Sequence, residues 1–170
     1  MRVRLNTNSH DDFARYNNPY ELDYAMTGWG YIPFTNLMSP KQVYRANLGS
    51  CHDMTVFELD ELRKEGYDAH AKFIMAVGPD GQGGETHSFV YFTADGMTYW
   101  FEQAWEDYSG VHAFNTDAEL FEYVIKEFKD RNPNQIVYMG DFIPEEHQVG
   151  EDLQTLVDIC MNSAVKYEAG

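Results

Sequence analysis

The feature that most constrains this chain is an Asp95-Gly96 pair set between two runs of strand-forming residues. Upstream stands Thr86-His87-Ser88-Phe89-Val90-Tyr91-Phe92-Thr93, and downstream Met97 to Trp105 carries Tyr99, Trp100 and Phe101. β-Branched and aromatic side chains suit a pleated surface, and Asp-Gly is a strong signal for a tight hairpin turn. An antiparallel hairpin is therefore expected near the centre of the fold. Tyr67 to Val77 reads as a further strand before it, and the glycine-rich segment 78–84 as a mobile loop.

Helices are expected on either side. Ser50 is a good N-cap, and Asp53 three residues on makes an approximate capping box with an acid in the positive first turn. Met54, Phe57, Leu59 and Leu62 supply apolar surface, and Gly66 stops the helix after Arg63 and Lys64. Thr116 caps a second helix running to about Asp130, with Leu120, Tyr123, Val124 and Phe128 as its stripe. Ile136 to Met139 reads as a short buried strand, Pro144 as the start of a linker, and Leu153, Leu156, Val157, Cys160 and Ala164 as one face of a last helix. The first forty residues read as an irregular or short-helical wrap, with a helical turn opening at Ser39-Pro40. Tyr20, Leu22, Tyr24, Trp29, Tyr31, Phe34 and Leu37 are expected to bury there. This order of elements implies one domain over 1–170, of the α+β class with an antiparallel sheet.

Composition excludes several functions. With 44% hydrophobic and 15% aromatic residues, the chain is too apolar for a disordered one. A formal net charge of −16, from 28 acidic against 12 basic residues, repels nucleic acid and anionic membrane and suits a basic partner or substrate. No run approaches the roughly 18 apolar residues of a membrane span. Met1 to His10 lacks the apolar run of a secretory signal, so a cytoplasmic location is expected. Cys51 and Cys160 are then read as free thiols, Cys160 in the core. There is no Cys-x-x-Cys or His-Glu-x-x-His, and no metal or cofactor is expected.

Three residues carry candidate chemistry. Cys51 falls in the first turn of its helix, where free N–H groups and the helix dipole favour a thiolate. A thiolate nucleophile needs an imidazole partner, and His87 sits on a strand just after the glycine-rich loop. Glu102 can orient that imidazole. A two-residue turn pairs His87 with Ala104 and makes Glu102 a diagonal neighbour, whereas a loop over 93–96 pairs His87 directly with Glu102. Both registers put His87 and Glu102 on one face of the sheet.

Gly49-Ser50-Cys51-His52-Asp53, the Thr86-His87-Ser88-Phe89 strand, and an acid fifteen residues after the histidine together resemble the transglutaminase-like superfamily, a relative of the papain-type cysteine peptidases. The resemblance covers about residues 38 to 105. It implies a nucleophile helix packed on an antiparallel sheet, with Cys51, His87 and Glu102 as nucleophile, base and orienting carboxylate. Glu102 departs from the aspartate usual in that family. The implied chemistry is cysteine-dependent acyl transfer on an amide through a thioester: peptidase, amidase or deamidase if water accepts, transglutaminase-type if an amine does. A small domain favours water. The substrate is then a protein, peptide or small amide, with a basic one suiting the charge. By analogy with papain-like order the oxyanion donor is Gln42, nine residues before Cys51, with Asn47 and Trp29 as alternatives. Asp53 is expected to cap and His52 to point away. Two other functions are compatible with the sequence: a non-enzymatic acidic protein that binds or inhibits a basic or nucleic-acid-binding partner, and a redox or regulatory thiol at Cys51.

Overall fold

A computed structural model describes residues 13–167, so the expectation for Met1 to His10 lies outside the described residues. The fold is α+β. A six-stranded sheet, antiparallel at every pairing, runs in the order β6-β5-β4-β3-β7-β8. Its strands are β3 (Asp68–Val77), β4 (Gly83–Ala94), β5 (Met97–Glu102), β6 (Gly110–Phe114), β7 (Ile136–Asp141) and β8 (Val165–Tyr167). Two short segments, β1 (Gly30–Tyr31) and β2 (Leu48–Gly49), pair in parallel beside it. The helices are α1 (Pro19–Met26), α2 (Pro40–Ala46), α3 (Cys51–Lys64), α4 (Asp117–Arg131) and α5 (Leu153–Met161).

Alternation along β4 divides the core. Val90 and Phe92 face α3 together with Phe73 and Phe101, against Met54, Phe57 and Leu62. Phe89 and Tyr91 face α4 with Ile74, Trp100 and Val137, against Leu120, Val124 and Phe128. The period of two thus sends each strand's apolar residues to two separate helical layers. Asp95 and Gly96 adopt φ of 53° and 76°, and Ala94 pairs with Met97. This is the two-residue turn, which excludes the longer 93–96 loop. Pairing in β5 stops at Glu102, so β4 has no neighbour on that side opposite His87.

Three expectations are corrected. Gly83 and Gly84 belong to β4, not to a loop over 78–84, and the turn is closed by Gly78 N–H to Gln82 O and Gly81 N–H to Gly78 O. A Cβ would be tight at both: on Gly83 it would meet Met75 Cε at 2.6 Å, so that side chain would have to move, and on Gly84 it would meet the Ala76 carbonyl oxygen at 3.1 Å. Strand β5 ends at Glu102 instead of continuing to Trp105, since Gln103 and Trp105 turn their N–H groups onto the Glu102 carboxylate. In the N-terminal wrap Leu22 and Leu37 are buried, but Tyr20, Tyr24 and Tyr31 are exposed. Helix α1 spans only 8 residues and buries the face of Leu22 and Met26, leaving Tyr20 and Tyr24 one turn apart on another. No described helix is long and apolar enough to cross a membrane.

Candidate active site

Helix α3 begins at Cys51 because both ends of its N-terminal hydrogen-bond deficit are met. Ser50 Oγ accepts from Asp53 N–H, and Asp53 Oδ2 accepts from Ser50 N–H at 2.9 Å, a reciprocal capping box. Asp53 Oδ1 also accepts from Met38 N–H at 2.8 Å, tying the N-terminal wrap to helix α3. Asp53 is therefore the network residue that the pattern implied. Asp53→Ala strands three donors, the Ser50 and Met38 N–H groups and the Ser50 hydroxyl, and is expected to cost about 3 kcal/mol. Urea denaturation at pH 7 measures that loss.

The first turn of α3 docks on β4 through a hydroxyl relay. Thr55 Oγ1 donates to the Cys51 carbonyl at 2.9 Å and contacts Ser88 Oγ at 2.8 Å. Ser88 Oγ lies 2.9 Å from His52 Nδ1. The His52 ring is thereby tied to β4 through a hydrogen bond shared by Nδ1 and the Ser88 hydroxyl. This corrects the expectation that His52 points away: it is 1% exposed and stacks between Phe73 and Phe142, with ring centroids at 6.0 and 6.2 Å.

His87 sits on β4 where β5 has ended. Its Nε2 meets Glu102 Oε1 at 2.8 Å, and the pair is almost fully buried. The other oxygen of Glu102 accepts from Gln103 N–H at 3.1 Å and Trp105 N–H at 3.0 Å. The carboxylate is thus locked by three donors, and the diagonal register makes the longer glutamate side chain the one that reaches. The edge of Trp105 packs on the His87 ring, with centroids 5.5 Å apart. With Nε2 committed to Glu102, Nδ1 is left for the sulfur.

Cys51, 6% exposed, is brought to this imidazole. Burial pushes its thiol up, but the charge and hydrogen bonds of His52 and His87 outweigh that and bring it down to about 5. Burial disfavours the His87 cation, yet the Glu102 charge and the contact with Cys51 raise it to about 10. The stable form over that interval is thiolate and imidazolium. A slot of about 180 Å³ opens on the pair, walled by Tyr31, Glu85, Trp105 and Arg131. Glu85 and Arg131 close one wall as an ion pair at 2.8 Å.

Tyr31 is the residue that sequence reasoning missed. The parallel β1–β2 pairing sets it opposite Gly49, two residues before Cys51. Its phenol lies against the Cys51 sulfur and backbone N–H. Burial, the Cys51 charge and the hydrogen bond to that sulfur raise it to about 12. The expected oxyanion donor is elsewhere. Gln42 is an exposed residue whose Oε1 accepts from Ser39 N–H at 2.8 Å, completing the capping box of α2, and it does not line the slot. Asn47 is the left-handed C-cap of α2, with φ of 53°. Trp29 packs on Phe57 at 5.2 Å.

Cys160 is fully buried, with its sulfur 3.8 Å from His147 Nε2. Burial and the carboxylates of Glu151, Glu146 and Asp141 push its thiol far up. Both cysteines are free. Among the described residues no group of His, Cys, Asp and Glu is arranged to hold a metal ion. No family model matches the sequence, and no curated protein matches it either.

Proposed function

We propose that this protein is a cysteine-dependent acyl-transfer enzyme with a transglutaminase-like core. The observation that carries the reading is a buried thiol at a helix N-terminus, held as thiolate beside an imidazole whose far nitrogen is bound 2.8 Å from a fixed carboxylate. In this mechanism the Cys51 thiolate attacks an amide carbonyl carbon. The oxygen takes the negative charge and is met by the Cys51 N–H and the Tyr31 hydroxyl. His87 gives its proton to the departing nitrogen, the C–N bond breaks, and a thioester remains. Neutral His87 then removes a proton from water or an amine as it attacks the thioester. The sulfur leaves as thiolate, and the imidazolium, stabilised by Glu102, is restored. Water gives hydrolysis, an amine gives transamidation.

Tyr31 has two positions to serve in this cycle. Without substrate its phenol oxygen occupies the place beside the Cys51 N–H. An incoming carbonyl oxygen takes that N–H and leaves the phenol free to donate to it. The test is acyl-enzyme trapping. The protein is mixed with an activated ester, quenched in acid and analysed as peptides by mass spectrometry. A thioester on Cys51, absent in Cys51→Ala, is expected. Tyr31→Phe should slow acylation about 10²-fold while slowing alkylation by iodoacetamide far less, because alkylation builds no oxyanion. Acylation spread over lysines, with none at Cys51, would defeat the proposal.

The reading of an acidic binder has its own support. The chain carries −16 and exposes Tyr20 and Tyr24 on α1, at 64% and 83%. A protein of that kind has no use for an activated thiol, so the trapping experiment separates the two.

A further inference from the structure

A second cavity, of about 640 Å³, adjoins the slot: Tyr31 and Ala104 line both. We infer that this cavity is a specificity subsite for a cationic side chain, lysine- or arginine-like, carried on the acyl part of the substrate; the inference rests on the acyl-transfer reading above.

The walls fit such a group at both its ends. Met26, Trp29 and Tyr31 offer apolar and aromatic surface to a long aliphatic stem, and the ring faces attract a cation. Asp23 and Glu106 supply carboxylates, and among the described residues no lysine, arginine or histidine lines the cavity. Asp23 is held in place by the side-chain amide of Gln103, itself a lining residue. The His112 imidazole on β6 acts electrostatically on Asp23 from outside the lining.

Behind this wall stands a buried acid, Glu58, 3% exposed. It lies seven residues after Cys51 and four after Met54, on one face of α3. Helical side chains lean toward the N-terminus, so Glu58 reaches over the turn that carries Met54, a lining residue of the cavity. Its charged surroundings are Glu102, His87 and Cys51 on the catalytic side and Asp23 on the cavity side. Burial first, and then the negative charge of Glu102, holds this carboxyl well above the usual range. A buried acid is costly to ionise, and a cation in the adjoining cavity would lower that cost.

The side of the substrate follows from the imidazole. His87 lines the slot but not the cavity. The leaving nitrogen must lie at His87, which protonates it. The cavity beyond Tyr31 and Ala104 is therefore left for the portion that stays on sulfur.

Three methanethiosulfonates of different charge test this without any knowledge of the substrate. Each forms a mixed disulfide with a thiolate and releases methanesulfinate. The reagents carry trimethylammonium, methyl or sulfonate groups, and peptide mass spectrometry follows Cys51 at pH 7 and physiological salt. Rates are divided by those with a free small thiol, then by that of the methyl reagent for each variant. The trimethylammonium reagent should lead the sulfonate reagent by at least about tenfold. Asp23→Asn with Glu106→Gln should cut that preference about tenfold. Asp95→Asn with Asp158→Asn, which removes equal charge at the hairpin tip and on α5, should leave it within about twofold. Glu58→Gln should lower the preference with no change of surface charge. The subsite is refuted if the Asp23–Glu106 pair keeps the preference, or if the remote pair lowers it equally, since the field of the whole protein then explains it. Rapid reaction of Cys51 with all three reagents and no charge preference removes the subsite alone. Slow reaction with all three removes the acyl-transfer reading on which it rests.

Discussion

Iodoacetamide at pH 6 is expected to alkylate Cys51 within minutes and leave Cys160 unmodified. An ordinary thiol, with a pKa near ~8.5, is well under 1% ionised at that pH and reacts slowly. Cys51 is brought down to about 5, so most of it is thiolate at pH 6. Cys160 is pushed the other way by burial and by three carboxylates, and has no exposed surface. The labelling rate at Cys51 should therefore stay flat from about pH 6 to 9 and fall as pH drops through about 5. His87→Ala removes one of the two imidazoles that oppose the cost of burial. Its labelling at pH 6 should drop about tenfold or more, with little change at pH 9, as the midpoint moves up. His52→Ala is informative beside it, because His52 acts on the same sulfur from the buried side. Equal, slow labelling of both cysteines would mean that no activated nucleophile exists, and the acidic-binder reading would replace the enzymatic one.

What was legible before the structure was what is encoded locally. Asp95-Gly96 specifies a two-residue turn through its positive φ angles, and with that turn the register of His87 against β5 follows. Ser50 and Asp53 announce the start of α3, which puts Cys51 in the first turn. Period-two alternation places His87 and Glu102 on one face whichever register is chosen. The structure brings these three residues together.

What was not legible depends on contacts between distant segments. Strands β1 and β2 have two residues each, too few for any periodicity, so nothing in Gly30-Tyr31 revealed that Tyr31 meets Cys51. Strands β6 and β8, of five and three residues, sit at the two sheet edges. Residue spacing alone did not decide whether His52 faced water or Ser88, since that depends on how α3 lies on β4. Gln42 is different, because a local signal was present. Ser39 and Gln42 stand three apart around Pro40, the pattern of a capping box, and that role occupies the side chain assigned to the oxyanion. Glu58 is an acid within a helix whose residues from Cys51 to Leu62 are all buried, a conflict with polarity that can be seen once the burial of α3 is known.

Glu102→Gln should lower acylation by about 10²–10³-fold, less than Cys51→Ala, and should move the alkaline edge of activity toward neutral pH. Glutamine keeps one acceptor oxygen, enough for the His87 Nε2–H or for the Gln103 and Trp105 N–H groups but not for both, so the turn after β5 loosens as well. The substitution removes the charge that, against the cost of burial, holds His87 up at about 10. Without it the imidazolium loses its proton nearer the ordinary histidine range, and leaving-group protonation fails at a lower pH. The sign for stability follows from the same shift. A group raised in the folded state contributes stability that is complete below its unfolded pKa, near ~6.5, and is lost as pH rises through its folded value. The wild-type contribution from His87 should thus decline between about pH 6.5 and 10. Cys51 acts in the opposite sense: its depressed value contributes stability that is full in alkali and is lost as pH falls through about 5. In Glu102→Gln the His87 contribution should be smaller and vanish at a lower pH, while the acid side changes less. Urea midpoints from pH 4 to 10, read beside the acylation profile, report both effects. An unchanged alkaline edge in both measurements would assign the stabilisation of His87 to another carboxylate, with Glu58, which already faces it from α3, as the next to replace.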